Sequence, residues 1–154
     1  DVAYKKGTLM RPDYWRRYYK PWVQAIVAHA HSKGLPVIYH GCGNVNRVFE
    51  DFIEVGVDAY NPLEAKAGMD VVELRRKYGH RMAFCGNMDA LTWATGTMEE
   101  LKAMVLTKLN AAKGGGYIVQ GLPEGANVVV QGAQMLLSEE YRAPGGGRAQ
   151  GCCR

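Results

Sequence analysis

No apolar run in this chain of 154 residues approaches the ~20 needed to cross a bilayer. The opening residues, with Asp1, Lys5 and Lys6 close together, lack the apolar core of a secretory signal. Cysteine is scarce as well. Cys42 and Cys85 lie at the ends of apolar runs, while Cys152 and Cys153 are adjacent in a glycine-rich tail. That spacing excludes a disulfide framework and points to a reducing compartment, so a cytoplasmic location is expected. The adjacent pair looks like a metal or redox couple on paper, but its tail has nothing to bury. A G-x-G-x-x-G phosphate turn is also missing: Gly41-Cys42-Gly43 does not match it, which argues against a dinucleotide fold. Net charge is mild, at +4. Some of it falls at Lys5, Lys6, Arg11, Arg16, Arg17 and Lys20, among Tyr14, Trp15, Tyr18, Tyr19 and Trp22. A helix with a solvated basic face and a buried aromatic face accounts for that mixture, with Trp15 and Trp22 together in the core. Neither nucleic acid nor membrane is an expected partner.

What the chain does have is alternation. A helix is predicted over 12–33, opened by Pro12 and Asp13 and ended by Gly34. A short strand follows at 35–39, then a helix over 45–55 with apolar Val45, Val48, Phe49, Phe52 and Ile53 on one stripe. A second strand at 59–61 is stopped by Pro62, and a helix over 69–78 begins with Asp70 in its first turn. A third strand spans 81–85. Trp93 falls in a loop, and Thr97-Met-Glu-Glu100 forms a capping box for a helix over 98–112. The run Gly114–Gly116 breaks that helix before a fourth strand at 117–120. Four short apolar strands alternating with helices call for a parallel sheet covered by helices, either a doubly wound sheet or part of a (β/α)8 barrel. A barrel needs ~250 residues, so this chain would hold about half of one and be a fragment. Residues 128–141 form a candidate last helix, and the tail from about 142 should be disordered.

Polar residues follow the strands, where catalytic groups gather in a barrel. His40, Cys42 and Asn44 follow the first, Asn61 and Glu64 the second, Asn87 and Asp89 the third. An imidazole and a thiolate in H-x-C spacing can face one side of extended chain and suit zinc, with Cys85 as a third ligand. The plainer alternative is a hydrogen-bonded histidine beside a small buried thiol. Gly41 and Gly43 serve either a tight turn or close approach of backbone to a ligand. Glu64 and Lys66 are a candidate proton-transfer pair, or an exposed salt bridge worth little. Asn87 and Asp89 would orient substrate or cap the next turn. The candidate catalytic residues are thus Glu64, Asn87 and Asp89. Asn44, Asn61 and Lys66 are candidates for holding substrate, and His40, Cys42 and Cys85 for metal.

Five stretches in order, "DVAYKKGTLMRPDYWRRYYKPW", "GLPVIYHGCGN", "GVDAYNPLEAKAGMDVVELRRKYG", "RMAFCGNMDA" and "AAKGGGYIVQ", resemble the carboxyl-terminal half of the uroporphyrinogen decarboxylase (URO-D) superfamily, over residues 1 to about 120. The resemblance implies a partial (β/α)8 barrel over 1–141, with the site at the carboxyl ends of its strands. It also implies a small-molecule reaction of one of two kinds. Among the cobalamin-dependent methyltransferases of that superfamily, the coenzyme M enzymes hold zinc with an H-x-C pair and a later cysteine, and the zinc activates an acceptor thiol. A corrinoid protein is then a partner. His40 and Cys42 match the pair. The later cysteine would fall near Gly121, where the chain reads "VQGLPEG", so either Cys85 substitutes as third ligand or zinc is not bound and His40 and Cys42 shape a different pocket. The alternative is a cofactor-free decarboxylase of porphyrin biosynthesis. That enzyme uses an arginine and an aspartate from the other half and a histidine after the last strand, and no histidine here follows His80. Methyl transfer is therefore the favoured expectation. The sequence after about 120 departs from the superfamily pattern, as a shifted reading frame would make it. A third possibility is non-catalytic: an open half-barrel exposes strand edges and apolar faces and would pair with a partner or with itself as a homodimer.

Overall fold

The computed structural model of the chain describes residues 1–120. The helix expected at 128–141, the tail from 142 and the cysteine pair at 152–153 lie outside the described residues. Four parallel strands form one sheet in the order β3 (Ile38–His40), β4 (Ala59–Leu63), β5 (Ala83–Gly86) and β6 (Tyr117–Ile118). Chain order and sheet order agree, so each crossover moves one strand along, as in a barrel wall. The helices between them are α3 (Phe49–Glu54), α4 (Val71–Tyr78), α5 (Ala90–Thr95) and α6 (Met98–Ala111), with a 3-10 turn at Ala65–Ala67. A small hairpin, β1 (Ala3–Tyr4) with β2 (Gly7–Thr8), precedes them; the sequence pattern did not announce it. No helix among the described residues is long and apolar enough to cross a membrane.

Pro21 shapes the first helical segment. Proline lacks an N–H, and its ring collides with the carbonyl four residues back. The chain resolves this by widening. α1 (Pro12–Tyr14) passes into a π turn over Trp15–Tyr19, where the Lys20 N–H reaches back to the Trp15 carbonyl, and α2 (Lys20–His31) follows. The extra residue in the turn rotates everything after it. Trp15 is wholly buried, but Trp22, seven positions on, is 72% exposed; Val23 and Val27 face the core instead. The expected pairing of the two tryptophans on one buried face is thus corrected by a single π turn.

Other boundaries move as well: the helix expected from 45 begins at Phe49, and the strand expected at 35–39 lies at Ile38–His40. β4 does not stop at Pro62 but runs on to Leu63, with its register against β5 shifted between Tyr60 and Leu63. Trp93 lies in α5, whose first turn is capped by Asp89, rather than in a loop. Elsewhere the local signals hold. Asp70 accepts the Val72 N–H at 2.7 Å, and Thr97 and Glu100 form the reciprocal capping box. All three phenylalanines of the chain, Phe49, Phe52 and Phe84, are wholly buried. They pack with Trp15, Tyr39 and Tyr60 at centroid distances of 4.4 Å (Tyr39–Phe52), 5.1 Å (Trp15–Phe52) and 5.3 Å (Phe49–Tyr60). That aromatic layer under the helices fixes the inner strands of the sheet.

Asp51 ties the first helical segment to α3. Its nearly buried carboxylate accepts from Arg16 Nε at 3.0 Å and Lys20 Nζ at 2.8 Å. Burial pushes its pKa up, but the two cations outweigh burial and leave it below the usual carboxylate value. A depressed carboxylate contributes stability that is present above the unfolded-state pKa of about 3.9 and is lost as pH falls through the folded value. Asp51→Asn should therefore flatten the acid limb of a stability–pH curve below roughly pH 5. Urea midpoints from pH 7 down to pH 3 check this; parallel curves for the two proteins would refute it.

Candidate functional site

Because the strands are parallel and adjacent, their carboxyl ends share one edge of the sheet. His40 ends β3 and is in register with Asn61 of β4; paired positions on neighbouring strands direct their side chains to the same side. The His40 Nδ1 lies 2.7 Å from Asn61 Oδ1. An amide oxygen can only accept, so Nδ1 carries a proton, and in the neutral ring the lone pair is on Nε2. The His40 residue is exposed. The amide nitrogen of Asn61 donates to Gln120 Oε1, just past β6, and the same side chain also hydrogen-bonds the thiol of Cys85 near the end of β5. One asparagine thus links residues from or just past all four strands. Burial pushes the Cys85 thiol up to about 11, against the pull of the Asn61 bond, so at neutral pH it is a thiol rather than a thiolate.

The loop between β3 and α3 is held on every side. Tyr60, fully buried, donates its hydroxyl to the Gly41 carbonyl at 2.9 Å, and the Gly41 N–H donates to the Asn61 carbonyl at 2.8 Å. The Cys42 N–H donates to Asp1 Oδ1 at 3.0 Å, and the Asn44 N–H to the Tyr4 carbonyl at 3.0 Å. The Gly43 N–H donates to Glu64 Oε2 at 2.8 Å. Gly43 has φ +90°, and a Cβ there would sit 2.7 Å from the Ala3 carbonyl carbon and 2.8 Å from the Tyr4 nitrogen. The close approach that Gly43 permits is to the amino-terminal hairpin. A ligand is not required to explain it.

The remaining candidates divide clearly. Glu64 anchors the Gly43 backbone, and Lys66 pairs with Asp89 at 3.6 Å. The expected Glu64–Lys66 couple is not among the ion pairs of the described residues. Asp89 caps α5, accepting from the Leu91 N–H at 2.9 Å and Thr92 Oγ1 at 3.3 Å. The Leu91 N–H and the neighbouring Lys66 charge hold its carboxyl below the usual range, so it stands ready as an anion, not as an acid. Asn44 turns its amide oxygen back to the Asn46 N–H at 3.1 Å, a local turn bond. Asn87 is buried with φ 62° and is fully occupied. It accepts from the Val71 N–H at 3.2 Å and Lys108 Nζ at 2.7 Å, and donates to the carbonyls of Leu63 and Met69. Gln120 belongs with the site but was not among the expected residues. The rule that polar groups follow each strand, applied to the fourth, would have found it. Lys108 lies in the last turn of α6, where a basic residue reads as a helix-end charge rather than as part of a site.

The residues read as metal ligands fall around the same edge. Still, among the described residues no three His, Cys, Asp or Glu side chains gather as a metal ion requires. His40, Cys42 and Cys85 are thus not drawn together as a three-ligand set in this arrangement. A cleft of about 600 Å³ opens elsewhere, lined by Asp58, Arg75, His80, Arg81, Met82 and Gly116 among others. Asp58, Met82 and Gly116 precede β4, β5 and β6, so this cleft lies at the amino ends of the strands, the end that carries stability rather than chemistry in such sheets.

A parallel βα wall with polar side chains collected at its carboxyl edge defines a partial (β/α)8 barrel with an enzyme-type mouth. The family model for Uroporphyrinogen decarboxylase (URO-D) matches residues 2–121, and the chain belongs to that family. No curated protein matches it. Among solved structures, a methyltransferase from Methanosarcina mazei is similar, with a TM-score of 0.56 and 27% identity. The likeness covers 67% of this chain and 29% of that one, so the chain spans under a third of the methyltransferase's length.

Proposed function

We propose that this chain forms part of a methyltransferase that moves a methyl group between a corrinoid carrier and a thiol or other small acceptor. The observation that carries the reading is the exposed imidazole of His40 at the shared mouth, whose Nδ1 is engaged by Asn61 and whose Nε2 bears the lone pair in the neutral ring. The likeness to a methyltransferase supports the same class. In this scheme the acceptor S–H loses its proton to His40 Nε2 as sulfur forms its bond to the methyl carbon. The corrinoid supplies an electrophilic methyl group and retains the electron pair of the broken bond. Asp89 and Lys66, paired at the mouth, would bound the acceptor. Because no three candidate ligands gather among the described residues, no step is routed through a metal. Decarboxylation of a porphyrinogen is less well supported, since it needs cations to hold substrate carboxylates. Lys66 is paired with Asp89 and Lys108 is bound to Asn87.

The protein in its natural form, given methylcobalamin and a small thiol, should bleach the methylcobalamin spectrum and yield the methyl thioether. His40→Gln should slow this by roughly 10²–10⁴-fold, the usual weight of a general base. Turnover of uroporphyrinogen with no methyl transfer would sink the reading in favour of the decarboxylase.

A further inference from the structure

We propose that Asn61 is a positioning residue: its amide oxygen holds the His40 imidazole in the Nδ1–H tautomer and turns Nε2, with its lone pair, toward the mouth. Strand register sets the geometry. His40 and Asn61 are cross-strand partners, so their side chains leave the sheet together, and the 2.7 Å contact joins Nδ1 to Oδ1. Which way an amide faces depends on what its other end meets. Here the Asn61 nitrogen faces the Gln120 Oε1 and its oxygen faces His40 Nδ1. A chain of donors and acceptors then runs in one direction, from His40 Nδ1–H to Asn61 Oδ1 and from Asn61 Nδ2–H to Gln120 Oε1. The reading of Asn61 as a residue that holds substrate is replaced by this one. Its oxygen is committed to His40 and its amide nitrogen to Gln120 and Cys85.

The proposal deepens the function suggested for His40, but its test needs no methyl transfer. Nitrogen-15 NMR of the imidazoles distinguishes a protonated ring nitrogen from one bearing a lone pair. The chain has four histidines, and His40→Gln identifies the signals of His40 by their disappearance. At a pH where the ring is neutral, the wild-type protein should show a protonated Nδ1 and a lone-pair Nε2 at this residue. Asn61→Ala should shift the tautomer ratio by roughly tenfold toward Nε2–H, the weight of one hydrogen bond. Asn61→Asp keeps an acceptor oxygen and should restore Nδ1–H. A wild-type spectrum dominated by Nε2–H overturns the proposal. So does an Asn61→Ala protein that is folded, by its amide spectrum, yet leaves the ratio unchanged. If Asn61→Ala fails to fold, the wild-type and Asn61→Asp spectra decide alone. The expected tautomer in a protein that transfers no methyl group supports the positioning role and removes only the proposed reaction.

Discussion

Gly43→Ala should destabilise the chain more than any other single-methyl change in the loop after β3. The glycine holds φ +90°, outside the range side chains ordinarily adopt, at a cost of roughly 1–3 kcal/mol for a residue with a Cβ. The new methyl would also lie 2.7–2.8 Å from the Ala3 and Tyr4 backbone, which cannot rotate aside as a long side chain would. Overpacking of this kind adds roughly 1–3 kcal/mol. The chain's easiest relief is to push β1 away, which would break the Asn44–Tyr4 and Cys42–Asp1 bonds and loosen the loop that carries Cys42. Urea denaturation measures the first effect. Faster amide hydrogen exchange at Asn44, beyond what global stability explains, would report the second. Gly34→Ala is the natural control: it shares a positive φ, but a methyl placed there would meet nothing within 4 Å, so only the backbone share of the loss should remain. Equal losses in the two variants would contradict the packing argument.

Asn87→Ala should be comparably severe, for an electrostatic reason. The side chain serves the Val71 N–H at the start of α4, two carbonyls, at Leu63 and Met69, and the ammonium of Lys108. Removing it strands buried backbone groups, each worth roughly 1–3 kcal/mol when unsatisfied, although water entering the space would recover part of that. A total near 3–5 kcal/mol places the substitution among the most damaging that a single residue can produce. Asn87→Gly separates the causes, because glycine tolerates φ 62° without strain. It should recover about 1 kcal/mol relative to alanine, the ordinary penalty of a left-handed residue, and leave the rest of the deficit. Asn87→Asp is the sharper test of donation: it keeps acceptors for Val71 and Lys108 but sets a carboxylate oxygen against two carbonyls. Midpoints for all three within about 1 kcal/mol of wild type, at an unchanged urea slope, would show that the network holds nothing.

Much of this fold is legible along the chain because its signals are local. Thr97 with Glu100, Asp70 before Val71, and the apolar stripe through Phe49, Phe52 and Ile53 each act within a turn or two, so neighbours in sequence suffice to read them. The alternation of short apolar runs with these helices carries the parallel sheet, and the resemblance to the URO-D superfamily carries the choice of a partial barrel over a doubly wound sheet. Where reading fails, a backbone hydrogen bond has taken an unusual partner. The π turn at Trp15–Tyr19 exposes Trp22 in spite of its helical spacing from Trp15, and β4 continues through Pro62 although proline usually ends a strand.

Residue types at the strand ends announced a mouth, but side-chain roles there depend on partners far away in sequence. Glu64 could have met several donors and found the Gly43 backbone; Lys66 found Asp89; Asn87 turned inward to bind four groups. None of those pairings follows from spacing. Composition and periodicity by themselves determined an alternating βα chain with His40, Asn61 and Cys85 at successive strand ends. Only the tertiary structure decided that Asn61 stands between the other two, because hydrogen-bond direction is set when strands come into register, and register is a property of the assembled sheet.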